Sequence, residues 1–287
     1  MILIDGKEIA DKIEESLKKE VALFKTKPGL AFILVGENPA SRSYIKMKKK
    51  ACEKIGITSI DKELPSSIKE IELLEEIERL NKDPSIHGIL VQLPLPPHIT
   101  TAKIVEAINP KKDVDGFHPL NVGKVLLGEK EGFFPCTPLG VVTLLEKCAI
   151  ITEGKHVVIV GRSNIVGKPL AAMLMQKEVH ANATVTVVHS YSEHLKQLSE
   201  SADILIAAIG KPHFITKDMV KKGAVVIDVG INRVFDKENK PHIVGDVDFE
   251  NVAPLTSYIT PVPGGVGPMT IAMLMSNTIL SYKRSHL

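Results

Sequence analysis

Between Gly29 and Gly36 the chain places Leu30 to Val35 without one polar side chain, directly after a segment in which Ile9, Ile13, Leu17, Val21 and Phe24 recur at helical spacing. A short apolar run behind an amphipathic helix reads as a strand buried on both faces, the environment of a parallel sheet covered by helices. The alternation continues with a helix predicted over 41–55, a strand over 57–64, a helix over 68–80 and a strand over 86–92. It resumes later with strands predicted over 156–160, 184–189, 204–208 and 224–228 and helices over 167–177 and 193–200. Two such series predict an α/β protein built from two parallel, helix-covered units, the second of them doubly wound.

A chain of 287 residues is long for a single core, which agrees with two domains. The expected division is 1–138 plus 269–287 for the first and 139–268 for the second, with the last helix, 269–282, packing back on the first domain. From Leu93 to Thr137 the alternation gives way to proline- and glycine-rich pieces, LPLPPH, NPKKDVDGFHP and FFPCTP, and long loops of this kind usually carry function. A formal charge of +2 supplies no field that would recruit nucleic acid or an anionic membrane, and no stretch is apolar over the ~18 residues of a membrane span. Cys52, Cys136 and Cys148 form no CxxC pair, and there is no HExxH. The expectation is therefore a cytoplasmic protein without a metal, acting on a small molecule.

In the second series, Gly161-Arg162-Ser163-Asn164-Ile165-Val166-Gly167-Lys168-Pro169 follows an apolar strand and opens a helix. Unpaired backbone N–H groups and the positive helix end suit a pyrophosphate there, so Gly161, Arg162, Ser163, Ile165 and Gly167 are cofactor-binding candidates. The middle glycine of G-x-G-x-x-G is absent. The next strand ends Val188-His189-Ser190 and offers no acidic partner for a ribose 2′-hydroxyl. Arg162 and Ser190 could instead hold a 2′-phosphate, which favours NADP over NAD, although Ser190 suits a helix N-cap equally well. Ala208, Gly210 and Ile231, at two further strand ends, are candidates for the nicotinamide pocket.

In the first series, Tyr44 and Lys48 lie four residues apart on the helical stripe that also carries Ile45, Ala51, Cys52 and Ile55. A lysine there either snorkels to solvent or faces a cleft, where loss of water disfavours its charged form. Five motifs in order decide between these readings: Tyr44-x-x-x-Lys48, Val91-Gln92-Leu93-Pro94-Leu95-Pro96, Lys112-Asp113-Val114-Asp115-Gly116-Phe117, Pro135-Cys136-Thr137-Pro138-Leu139-Gly140 and Thr260-Pro261-Val262-Pro263-Gly264-Gly265-Val266-Gly267-Pro268-Met269-Thr270. With the glycine loop between the last two, the chain from about Asp5 to its last helix closely resembles the bifunctional methylenetetrahydrofolate dehydrogenase/cyclohydrolases.

The resemblance implies that NADP⁺ takes hydride from the one-carbon bridge of 5,10-methylenetetrahydrofolate and that the methenyl product is hydrolysed to 10-formyltetrahydrofolate in the same cleft. It implies catalytic roles for Tyr44, stacked on the folate, for Lys48 in the water and proton transfers, and for Gln92, which tunes that lysine. Asp115 binds the pterin, Leu93 lies beside it, and Pro263, Gly264 and Gly265 form a wall of the folate site. Without the resemblance Asp115 would read as a turn residue before Gly116. Cys136 is structural, because no histidine partner can be assigned to it. The family also implies a homodimer. Two rival readings are a dehydrogenase lacking the hydrolytic step and a catalytically silent dinucleotide or folate sensor. Tyr44, Lys48, Gln92 and Asp115 all match the bifunctional pattern and speak against both. A fused formate–tetrahydrofolate ligase is not expected at this length.

Overall fold

The computed structural model describes residues 1–236, 238 and 240–286. The chain runs β1 (Ile2–Leu3), α1 (Gly6–Val21), β2 (Gly29–Val35), α2 (Pro39–Ile55), β3 (Thr58–Leu64), α3 (Glu70–Lys82), β4 (Gly88–Val91), α4 (Thr101–Ala107) and α5 (Pro119–Leu127). It continues through α6 (Cys136–Lys147), β5 (His156–Val160), α7 (Gly167–Leu174), β6 (Thr184–Val188), α8 (Leu195–Glu200), β7 (Ile204–Ala207) and β8 (Val225–Asp228). The remaining elements are β9 (Asn232–Phe235), β10 (Pro241–Val244), α9 (Phe249–Val252), β11 (Tyr258–Ile259) and α10 (Val266–Ser285). No described helix is long and apolar enough to cross a membrane.

One compact unit comprises Asp11–Cys136 and Ile271–Leu287. Its sheet has the parallel order β3-β2-β4. Every residue of the central strand β2 is buried, as its lack of polar side chains requires. Leu73, Ile77 and Leu80 fall on one face of α3 and join Ala31, Ile33, Ile89 and Val91 in a single core. On the C-terminal part of α10, Met275 is fully buried and its sulfur lies 3.6 Å from the Cys52 sulfur of α2. The expectation that the last helix packs on the first domain holds.

The other unit comprises Met1–Ala10 and Thr137–Thr270, and its main sheet has six strands ordered β1-β11-β8-β7-β5-β6. All pairings within this sheet are parallel. Read outward from β6, the order is that of a doubly wound sheet whose direction of winding reverses between β5 and β7, and ligands of such sheets bind beyond the strands' carboxyl ends at that reversal.

Two features differ from the sequence expectation. Residues 1–10, grouped there with the first domain, belong to the six-stranded unit because β1 joins its edge. The Ile2 and Ile4 amides donate to Ser257 O and Ile259 O at 2.7 and 2.8 Å, and a strand of two residues has no periodicity to read. The antiparallel hairpin β9–β10 lies outside the expected alternation. The 93–137 region holds the 7-residue α4, the 9-residue α5 and the start of α6, short helices between its proline- and glycine-rich pieces.

Candidate functional site

Lys48 lies on the face of α2 that carries Ile45, Ala51, Cys52 and Ile55 and is only 6% exposed, whereas Lys46 and Lys50 on other faces are solvated. It does not snorkel. Its Nζ donates to Gln92 Oε1 at 3.1 Å and stands 5.9 Å from the centre of the Tyr44 ring, one helical turn away. Gln92 follows β4, where its backbone N–H still bonds Ile33 O of β2 at 2.9 Å. Its amide nitrogen donates to Leu93 O at 2.8 Å, which turns the carbonyl oxygen toward the lysine. Tyr44 is half-buried, and burial raises its phenol above the ordinary range.

Asp115 completes this cluster. Burial raises its carboxyl above the usual carboxylate range, and the positive charge of Lys48 acts against that rise. The turn that presents it is held from both sides. Asp113 is buried and accepts from the amides of Phe117 at 3.1 Å and His118 at 2.8 Å and from Asn121 Nδ2 at 2.8 Å. Gly116 has φ +74°, and a side chain there would strike the Phe134–Pro135 backbone 2.6–2.7 Å away, so only glycine fits. Cys136 donates to Val114 O at 3.2 Å and hydrogen-bonds the Asp115 carboxyl, while burial holds its thiol well above its ordinary value. A neutral, buried thiol is no nucleophile. Asn277 of α10 donates from Nδ2 to Val114 O at 2.8 Å and Phe134 O at 3.0 Å and reaches Cys136 Sγ at 3.6 Å. It ties the Asp-Val-Asp-Gly turn to the Pro-Cys-Thr-Pro segment. The sequence reading missed Asn277, which stands between Ser276 and Thr278 in the middle of the last helix. Lys112, in the same motif, is a helix cap: its Nζ donates to Leu80 O, Asn81 O and Asp83 O at the end of α3 at 2.7–3.1 Å.

In the six-stranded unit the segment Gly161–Val166 joins β5 to α7 at the reversal of winding. Gly161 has φ +130°, and a side chain there would run into the Ala208 carbonyl; one at Gly167 would run into the Gly161 carbonyl. The loops after β5 and β7 thus approach backbone to backbone at Gly161 and Ala208. Ser163 Oγ accepts from the amides of Val166 at 3.1 Å and Gly167 at 3.4 Å and shapes the entry to α7, while Arg162 is exposed and its guanidinium lies 5.8 Å from the Tyr191 ring. Ile165 is exposed beside them. An exposed arginine and a glycine cradle at a helix N-terminus fit an anionic dinucleotide. Ser190 is exposed and is not the cap of α8, which begins at Leu195 behind His194. Ser192 Oγ instead accepts the His189 amide at 2.9 Å. The cap reading of Ser190 therefore fails, because the cap of α8 falls four residues further on, at His194.

Two buried carboxylates at the carboxyl edge, Asp228 and Asp246, were also missed. Asp228 accepts the amides of Gly230, Asp246 and Val247, each at 2.9 Å, and burial still pushes its carboxyl up to about 6. Pro263, Gly264 and Gly265 lie between β11 and α10, with Gly264 at φ +105° and its carbonyl accepting the Lys7 amide at 2.9 Å. Among the described residues no three His, Cys, Asp or Glu side chains gather as a cation would require.

Two family descriptions match this chain: "Tetrahydrofolate dehydrogenase/cyclohydrolase, catalytic domain" over residues 4–115 and "Tetrahydrofolate dehydrogenase/cyclohydrolase, NAD(P)-binding domain" over residues 135–286. The Bifunctional protein FolD of Protochlamydia amoebophila is 57% identical over 287 residues, covering 99% of this chain and 98% of the relative. A crystal structure of the bifunctional FolD methylenetetrahydrofolate dehydrogenase/cyclohydrolase from Campylobacter jejuni superposes with a TM-score of 0.94 at 53% identity, covering 99% of each chain. The Trypanosoma brucei dehydrogenase-cyclohydrolase, solved with NADP cofactor and an inhibitor, gives 0.94 at 39% identity over 100% of this chain and 98% of that one. With the Lys48–Gln92–Asp115 cluster in one unit and the glycine cradle in the other, the chain belongs to the tetrahydrofolate dehydrogenase/cyclohydrolase family.

Proposed function

We propose that Lys48, Gln92, Tyr44 and Asp115 carry the folate chemistry of this chain and that the Gly161 loop holds its cofactor. The protein oxidises 5,10-methylenetetrahydrofolate to 5,10-methenyltetrahydrofolate with NADP⁺ and hydrolyses that product to 10-formyltetrahydrofolate. Bound NADP⁺ supplies the hydride acceptor, and for that transfer the chain needs chiefly to hold two ligands in register. Hydrolysis needs more. Water adds to the methenyl carbon and loses one proton; the remaining hydroxyl proton is lost as the bond from that carbon to N5 breaks and N5 takes a proton, so that one proton is released overall. Lys48 is suited to assist these proton movements: it is shielded from bulk water, and its Nζ donates to a neutral acceptor, Gln92 Oε1, at 3.1 Å. General acid–base assistance of this kind contributes roughly 10²–10⁴-fold.

The hydrogen bond from Lys48 to Gln92 is the observation that carries this reading. Asp115 is suited to accept from the pterin amino group and ring nitrogen, and the half-buried ring of Tyr44 to stack on the folate. Leu93 belongs with them through its carbonyl bond to Gln92. Pro263, Gly264 and Gly265 are assigned to substrate binding on the family pattern alone. In the other unit Gly161, Arg162, Ser163, Ile165 and Gly167 are assigned to the phosphates. Arg162 and the exposed Ser190 take the 2′-phosphate, and Ala208, Gly210 and Ile231 the nicotinamide end. The division of labour is then 1–138 plus 269–287 for folate chemistry and 139–268 for the dinucleotide, with residues 1–10 following the sheet they pair with. Two copies associate through the dinucleotide unit, as the family pattern implies, and the free thiols of Cys52, Cys136 and Cys148 suit a reducing cytoplasm.

The test is a spectrophotometric assay with 5,10-methylenetetrahydrofolate and NADP⁺ that follows reduced cofactor and methenyl absorbance separately. The wild-type protein is expected to reduce NADP⁺ without accumulating methenyl product. Lys48→Met is expected to lose hydrolysis by on the order of 10²-fold or more while still binding NADP⁺. Normal hydrolysis in a folded Lys48→Met protein would end the role given to the lysine.

A further inference from the structure

The carboxyl edge of the six-stranded sheet is organised by an acid that forms no ion pair among the described residues. Asp246, 0% exposed, accepts the backbone amides of three successive residues after β7: Ile209 at 2.6 Å, Gly210 at 2.9 Å and Lys211 at 3.0 Å. Its carboxylate also accepts from Asn232 Nδ2 at the start of β9, at 2.8 Å. Three successive N–H groups turned toward one point form an anion-binding nest, and a residue at φ +73°, Gly210, closes it. The anion in the nest is the protein's own. Those donors are thus withheld from a ligand phosphate, which leaves the cradle at Gly161 to take the phosphates and the loop after β7 to line an uncharged part of the dinucleotide.

Asp246 is itself fixed. Its amide donates to Asp228 Oδ1 at 2.9 Å, and the Asp228 amide donates to Thr260 Oγ1 at 2.7 Å. Gly230 and Gly245 leave no room for a side chain, since one at Gly230 would overlap the Asp246 carboxyl and one at Gly245 the Asp228 carboxyl. A single carboxylate therefore joins the segment holding Ala208 and Gly210 to the segment holding Ile231. Rigid support of this kind sets how well a binding site is preorganised.

We infer that Asp246 is a positioning residue for the dinucleotide, clamping the loop after β7 and the start of β9 in the one arrangement that receives the nicotinamide end. The inference rests on the assignment of Ala208, Gly210 and Ile231 to that end of the cofactor. Asp246→Asn puts an NH₂ group where a carboxylate oxygen accepts two N–H groups, and Asn232→Ala cuts only the tie between the loops.

The experiment measures the Kd for NADP⁺ and the two activities of the full chain, with melting temperature as the check on folding. Asp246→Asn should weaken NADP⁺ binding by on the order of tenfold and Asn232→Ala by about threefold, the scale of one hydrogen bond lost from a preorganised site. The fall in dehydrogenase kcat/KM for NADP⁺ should exceed any fall in cyclohydrolase rate by a similar factor, a split that general loss of structure would not produce. Should Asp246→Asn not fold, Asn232→Ala decides. Unchanged NADP⁺ affinity in a folded Asn232→Ala protein, or equal losses of both activities, would overturn the inference. Failure of the wild-type protein to bind NADP⁺ would overturn the cofactor assignment itself, a separate result.

Discussion

A single side chain in this protein acquires its chemistry from what surrounds it. Lys46, Lys48 and Lys50 share one helix, yet only Lys48 is buried, because its position falls on the apolar stripe. The carboxyl of Asp115 depends in turn on residues far away in the chain. Asn277, 4% exposed, donates to carbonyls on both sides of the turn. Asn277→Ala would leave Val114 O and Phe134 O without that donor, destabilising the protein by about 1–3 kcal/mol. It should also raise KM for the folate substrate more than it lowers kcat. Chemical denaturation and steady-state kinetics check this, and an unaltered KM would show that the turn holds Asp115 without the amide.

At the scale of elements, the sheet β3-β2-β4 contains an acid-sensitive joint. His87, just before β4, accepts the Gly29 amide of β2 through Nδ1 at 2.9 Å, which only the unprotonated ring can do. Burial, with smaller repulsion from His286 and Lys112, lowers its pKa below the ordinary 6.5. The unfolded chain then binds this proton more readily than the folded one. The stability it contributes is complete above about pH 6.5 and is lost as pH falls below that toward the folded value. His87→Asn keeps an acceptor in place and removes the titration. Its urea midpoint should fall less between pH 7 and pH 5 than that of the wild-type protein; equal slopes would mean that the acid sensitivity lies elsewhere.

For the molecule as a whole, each compact unit is assembled from two stretches of chain, and the changes of unit fall inside α1, at the start of α6 and inside α10. The three-stranded unit therefore cannot be completed from residues 11–136 alone. Leu274, Met275 and Ile279 of α10 are almost wholly buried, and Asn277 secures the Asp115 turn. A chain ended after Thr270 should lose cyclohydrolase activity and become sensitive to protease throughout 11–136, as limited proteolysis with mass spectrometry would show. Protection of that stretch would mean that α10 is dispensable to its core.

Local pattern was enough to make the parallel α/β architecture, the buried face of α2 and the glycine turn before α7 legible, because each follows from periodicity or from backbone freedom within a few residues. Ordered motifs were enough to identify the family. Only the folded chain revealed that β1 joins the second sheet, that Ser192 rather than Ser190 closes the turn after β6, and that Asn277, Asp228 and Asp246 hold the loops on which the candidate site depends. These are contacts between residues distant in sequence. Which amide meets which carboxylate is decided by packing, and packing has no signature in a window of neighbouring residues.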